Sequence, residues 1–190
     1  MFYPGWMAGK GDSDLIGRLP RPLRWVALLA LFLIVAPLSA MADVAGPACV
    51  EDGDTLVIDG KRRHGTCRGG TRVHLFGIDA PELEQTCTDG RGAGWRCGQT
   101  AASMLLRAVR GKTVACEGDS RDADGDLIAV CRVDGEDISR RLVRIGAAVA
   151  VADRRYSKAY VDEQEAARSA KSGIWRGAFT MPWDWRAGRK

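Results

Sequence analysis

The sequence predicts an α+β domain, mainly β, in which a small, partly open barrel of short strands is backed by three helices. Short β-branched or alternating runs bounded by Gly and Asp recur through the chain, and amphipathic stripes with helical spacing interleave with them and follow them. The composition, 46% hydrophobic with 27% charged residues, excludes a disordered tail or a coiled coil.

In chain order, the first segment reads as an export signal. Arg18, Arg21 and Arg24 precede an apolar run over residues 25–36, Pro37 follows, and Ala40-Met41-Ala42 supplies the small-x-small pattern of a cleavage site. Residues 1–42 are therefore read as a signal peptide cleaved after Ala42, with an uncleaved anchor as the competing reading. Residues 43–190 are read as one domain with a short C-terminal tail, periplasmic or secreted.

Strands are expected at residues 55–58, 72–76, 113–116 and 127–133. Helices are expected at residues 99–110, with Met104, Leu105, Ala108 and Val109 on one stripe before Gly111, and at 137–145, with Ile138, Leu142 and Ile145 before Gly146. A third, at residues 160–172, carries Tyr160, Ala166, Ala167 and Ala170 and stops at Gly173. This order suits a small barrel of the oligonucleotide/oligosaccharide-binding (OB) type. Lys61, Arg62, Arg63 and His64 read as a solvated loop.

All six cysteines follow the export segment, which implies an oxidising compartment and a disulfide framework with several possible connectivities. Cys116 and Cys131 flank Asp122-Ala123-Asp124-Gly125 symmetrically, so a hairpin turning there sets them opposite each other. Cys87 and Cys97 would close a Gly-rich loop, leaving Cys49 with Cys67. No pair has the close spacing of a zinc site.

Net charge is +4, from 28 Lys plus Arg against 24 Asp plus Glu, which excludes binding by sheer positive charge. Chemistry concentrates in two acidic turns, Asp52-Gly53-Asp54-Thr55 at a strand entry and Gly77-Ile78-Asp79-Ala80-Pro81-Glu82 at a strand exit. Two carboxylates from separate strand ends, with a carbonyl and waters, suit a hard cation such as calcium, and a third carboxylate can orient or deprotonate a water. Asp and Gly are equally the ordinary residues of turns.

These two turns, followed by Cys87, Cys97-Gly98, Leu142-Val143-Arg144-Ile145-Gly146-Ala147, Arg155-Tyr156-Ser157 and Gly173-Ile174-Trp175, make the chain similar to staphylococcal-nuclease-like (thermonuclease) domains over about residues 48–176. The resemblance implies a five-stranded OB-type barrel with three helices. It also implies Ca2+ held by Asp54, Asp79 and the main-chain carbonyl of Ala80, and Glu82 as the residue that deprotonates or positions the attacking water. The partner implied is DNA or RNA, and a monomer is expected.

Two family arginines that neutralise the phosphate are replaced. His74 stands at the first position; it is shorter than arginine and cannot grip a phosphate bidentately, so Arg72, on the same strand face, is the candidate to assist it. At the second position Gly125 is followed by Asp126, which turns attraction into repulsion. Asp122, Asp124 and Asp126 alternate like the start of a calcium loop, but Cys131 stands where the bidentate Glu is required, so a hairpin turn is the reading. Residues 147–152 are alanine and valine where relatives place aromatics, leaving Tyr156 as the nucleic-acid contact. Among the tail aromatics, Trp175 is expected to pack across the barrel, and Arg176, Arg186 and Arg189 to offer weak surface contacts. Two functions stand open: an exported calcium-dependent nuclease with Glu82, His74 and Arg72 in catalysis, or a degenerate nuclease fold that binds metal, nucleic acid or a protein.

Overall fold

The computed structural model describes residues 43–151 and 158–189. The expected signal segment and Tyr156 lie outside them. The chain opens with strands β1 (Val44–Gly46), β2 (Ala48–Val50) and β3 (Thr55–Ile58), then a hairpin of β4 (Lys61–Arg63) and β5 (Thr66–Arg68). Next come β6 (Thr71–Leu75), β7 (Ile78–Asp79), β8 (Cys87–Thr88), β9 (Gly94–Trp95) and helix α1 (Cys97–Val109). The long hairpin of β10 (Val114–Arg121) and β11 (Leu127–Val133) leads to β12 (Glu136–Asp137), α2 (Ile138–Arg144), β13 (Val149–Ala150) and α3 (Val161–Ser169). A 3-10 turn (Gly173–Arg176) and α4 (Pro182–Arg186) end the described chain.

The architecture is the expected mainly-β α+β fold, a main sheet curled into a half-barrel with helices packed on it. Its order is β1-β10-β11-β6-β3-β2, with β12 added beside β11. The β6–β11 pairing is parallel, setting Val73 opposite Leu127 and His74 opposite Ile128. On the other side of β6, His74 faces Thr55 of antiparallel β3. Alternation explains the two faces: Val73 and Leu75 are buried with Leu56, Ile58 and Leu127, while Arg72 and His74 point the other way. Leu105 and Val109 of α1 and Leu142 of α2 close the same core, each such side chain contributing about 1.5–3 kcal/mol by its burial.

The structure pairs Cys49 with Cys67, Cys87 with Cys97, and Cys116 with Cys131, and the last pair sits directly across the β10–β11 ladder. Four elements differ from the sequence reading. Residues 61–68 form an exposed hairpin instead of a loop, with His64 at its turn. Strand β10 runs on to Arg121 past an irregularity between Glu117 and Ser120. Ala147, Ala148, Val149 and Ala150 are buried, with β13 paired to β7, so small residues there fill a core position and do not line a groove. A fourth α-helix, α4, joins the three expected.

The C-terminal tail is docked, contrary to its reading as loose surface. Val149, Ile174 and the Cys87–Cys97 bridge form a second small core against Trp95, Trp175, Phe179 and Met181, so Trp175 packs in this cluster and not in the main core of the barrel. The entry to this tail depends on a backbone crossing of two glycines. Ile174 donates its N–H to the Gly146 carbonyl at 2.9 Å. Gly146 has φ +68°, and a Cβ there would lie 2.2 Å from the Ser172 oxygen. Gly146→Ala is therefore expected to lower the stability of the oxidised chain by about 2 kcal/mol or more, read as a shifted urea midpoint with unchanged slope. An unchanged midpoint would contradict the crossing.

Candidate active site

The first acidic turn is shaped by Asp52, whose Oδ1 accepts the N–H groups of Asp54 at 3.0 Å and Thr55 at 2.8 Å. This aims the Asp54 side chain toward the segment after β7. There the Ala80 N–H donates to Asp54 Oδ2 at 2.6 Å, so the two acidic turns are tied together directly. The approach requires Gly53, because a Cβ at that position would lie 2.6 Å from the Ala80 methyl. Asp79, on β7, is held by pairing with Val149 and is buried.

Glu82 is fixed through Gln85, a fully buried side chain with two duties. Its Oε1 accepts the Glu82 N–H at 3.2 Å, and its Nε2 donates to the Thr180 carbonyl at 2.6 Å. That second bond holds the C-terminal segment beside the acidic turns just before α4 begins. Proline at the start of α4 suits the first helical turn, and the helix is short enough that Arg186, at its end, reaches back to the site.

Arg186 grips Asp79 with two bonds, Nη1 to Oδ1 at 2.9 Å and Nη2 to Oδ2 at 2.7 Å, and its Nη1 also reaches Glu82 Oε1 at 2.7 Å. The hydrogen bonds to Asp79 raise its pKa further above the ordinary arginine value, outweighing burial, with Glu82 adding to the effect.

A cavity of about 700 Å³ opens over this arrangement. Asp52, Asp54, Asp79, Glu82, Asp122 and Asp124 supply its acidic walls, Leu75, Ile78, Ile128 and Val151 its apolar ones, and Trp183 and Arg186 stand at the α4 side. Among the described residues lining it, Arg186 is the one Lys or Arg. The Asp54 carboxyl is held well above the usual carboxylate range, first by burial, then by the charges of Asp52 and Asp79, against the opposing Ala80 hydrogen bond. Such a set of crowded, desolvated oxygens is chemically suited to a hard cation.

Of the residues singled out from sequence, Asp54, Asp79, Glu82 and His74 come together on this cavity, while Ala80 is not among its lining residues and meets the site through its N–H on Asp54. Arg72 does not line it; its guanidinium pairs with Glu51 and lies 3.5 Å from Asp126. His74 Nε2 lies 3.2 Å from Asp122 and 3.6 Å from Asp126. Sequence reasoning missed Arg186 as a site residue, and no local signal marks it: its partner Asp79 is 107 positions away.

A family model described as staphylococcal nuclease homologue matches residues 72–177, which include His74, Asp79 and Glu82; the structure adds the Asp54 turn. A succinoglycan biosynthesis protein, ExoI, of Rhizobium meliloti (strain 1021) is 39% identical over 154 residues, covering 79% of this chain and 74% of that protein. An uncharacterized endonuclease of Escherichia coli O157:H7 is 31% identical over 161 residues, 83% of this chain and 94% of that one. Another uncharacterized endonuclease, of Haemophilus influenzae, is 25% identical over 171 residues, 90% of this chain and 88% of its own length.

The raised Asp54 has a consequence for stability. Between the ordinary value of 3.8 and its raised value the folded chain binds more protons than the unfolded one, so stability falls as pH rises through that window and the penalty is complete above it. In chelator, Asp54→Asn is expected to unfold at higher temperature than wild type at pH 7, with the difference shrinking toward pH 4. A lower melting temperature for the variant at pH 7 would contradict this.

Proposed function

Because the chain belongs to the staphylococcal nuclease family, we propose that it is an exported, calcium-dependent nuclease that hydrolyses phosphodiester bonds of DNA or RNA. The observation that carries the reading is the convergence of Asp54, Asp79 and Glu82 on one cavity, with the charged form of Asp54 destabilised first by burial and then by neighbouring negative charge. Endonuclease names among the relatives support the substrate class.

Asp54, Asp79 and the Ala80 carbonyl would hold the cation, which when bound polarises a phosphoryl oxygen and eases deprotonation of water. Glu82 accepts the proton of the attacking water on a side-chain oxygen. Arg186 neutralises the phosphate as negative charge builds on it, in place of the family arginines replaced by His74 and Asp126. Because its guanidinium sits on Asp79 and Glu82, it competes with the cation for Asp79. Arg72 acts indirectly, by its pairing with Asp126. Tyr156 contacts the nucleic acid, and the chain works as a monomer. Three disulfides accord with export, and no described helix is long and apolar enough to cross a membrane.

The competing reading, a binding protein without catalysis, draws on the same Arg186 contact, which caps the candidate water-activating Glu82. Incubation of the purified oxidised chain with plasmid DNA and single-stranded RNA separates the two. The nuclease reading expects cleavage in calcium and none in chelator, with Glu82→Gln slower by about 10²–10⁴-fold. Arg186→Gln is expected to tighten calcium binding by about tenfold while slowing cleavage. Absence of cleavage with calcium bound would establish the binding reading, and Asp54→Ala leaving calcium binding intact would refute the assigned cation site.

A further inference from the structure

We propose that His74, Asp122 and Asp126 form a second divalent-cation site, of a class that accepts imidazole, such as zinc or manganese, beside the calcium site. Its use in catalysis rests on the nuclease reading above; its existence does not. One side-chain oxygen or nitrogen from each residue lies within 4.8 Å of the others.

The geometry around the ring leaves room for a cation. The Thr55 hydroxyl has one proton, and it donates this to Asp54 Oδ1 at 3.2 Å. The same oxygen lies 3.2 Å from His74 Nδ1, so the ring is held against Thr55 through Nδ1. The other ring nitrogen, Nε2, points away from Thr55. It faces Asp122 Oδ2 at 3.2 Å and Asp126 Oδ2 at 3.6 Å. A ring nitrogen and two carboxylate oxygens that converge on one point are joined by a proton or a metal ion lying among them.

The surroundings prepare these groups as ligands. Asp122 Oδ1 is occupied by the N–H groups of Asp124 at 3.0 Å and Asp126 at 2.9 Å, leaving Oδ2 for the common point. Thr55, 1% exposed, fixes the ring as an outer-shell partner fixes a ligating histidine. Arg72 Nε lies 3.5 Å from Asp126 Oδ2 and is not among the residues lining the cavity. The set combines a strand histidine with two aspartates of the β10–β11 turn, brought together by the parallel β6–β11 pairing, so it differs from the single-loop calcium motif that the aspartate spacing alone resembles. Mixed imidazole and carboxylate ligation favours zinc- or manganese-type ions over calcium. His74 and Asp122 line the cavity with Asp54, Asp79 and Glu82, so a cation here lies where a phosphodiester would enter.

The chain has two histidines, so both imidazoles can be followed by 15N NMR in the untagged, oxidised protein during a calorimetric Zn2+ titration. Zn2+ is expected to move the His74 Nε2 signal to the metal-bound range, with the ring proton on Nδ1 in the bound state, while His64, on its exposed hairpin, is unchanged. Asp122→Asn with Asp126→Asn should weaken this binding by about 100-fold or more. Asp54→Ala should leave the His74 response in place. A protonated, unshifted Nε2 at saturating Zn2+, or Zn2+ affinity indifferent to the paired Asp→Asn change, would overturn the site in favour of a histidine–aspartate ion pair. Calcium binding lost in Asp54→Ala without any Zn2+ response at His74 would leave the first site standing and remove the second. A Zn2+ response without calcium binding anywhere would do the reverse.

Discussion

Repulsion among carboxylates confined to one cavity is the constraint on which the rest of the site depends. Six acidic side chains line a space of about 700 Å³ that also has apolar walls, and charges in such surroundings interact far more strongly than in water. Three features answer that excess. Asp54 is pushed toward its protonated form, by burial first and by this repulsion next, Arg186 is drawn from the last helix onto Asp79 and Glu82, and His74 turns its ring toward Asp122 and Asp126. A polyanionic substrate can enter only if further positive charge accompanies it, which is why a cation-loaded state is central to the proposed nuclease.

The scaffold holds this unfavourable arrangement by over-determining it. Asp52 shapes one turn, the Ala80 N–H joins it to the other, and Gln85 links the Glu82 segment to the chain before α4. The Cys87–Cys97 bridge lies in the small core under that same segment, so docking of the tail and placement of Arg186 share one support. Local destabilisation at the site and rigidity around it are the usual partition in proteins whose sites bind charged ligands. Thr55 joins the two halves, since its hydroxyl touches both Asp54 and His74.

Features encoded locally are legible in the sequence. Alternation with bounding turns places strands at residues 55–58 and 127–133, the symmetric flanks of the turn over residues 122–125 pair Cys116 with Cys131, and the two acidic turns mark the site. Features that depend on contacts distant in the chain are not. Arg186 meets Asp79 only because Gln85 and the small tail core dock the C-terminus, and a short helix among tryptophans and arginines reads equally well as surface. The meeting of His74 with Asp122 and Asp126 follows from a parallel strand pairing that neither segment announces by itself. The alanine-rich run after Gly146 misleads because small residues mark both an emptied groove and a tight core, and burial alone distinguishes them.

In the proposed nuclease, cations together with Arg186 take the place of strand-borne arginines in this cavity. Crystals of the oxidised chain grown with Mn2+ put that substitution to the test, through an anomalous difference map collected at the manganese edge. Two peaks are expected, one between Asp54 and Asp79 and one among His74, Asp122 and Asp126, with the Arg186 guanidinium displaced from Asp79. A map without peaks at either cluster, with Arg186 still bridging Asp79 and Glu82 at saturating Mn2+, would contradict it.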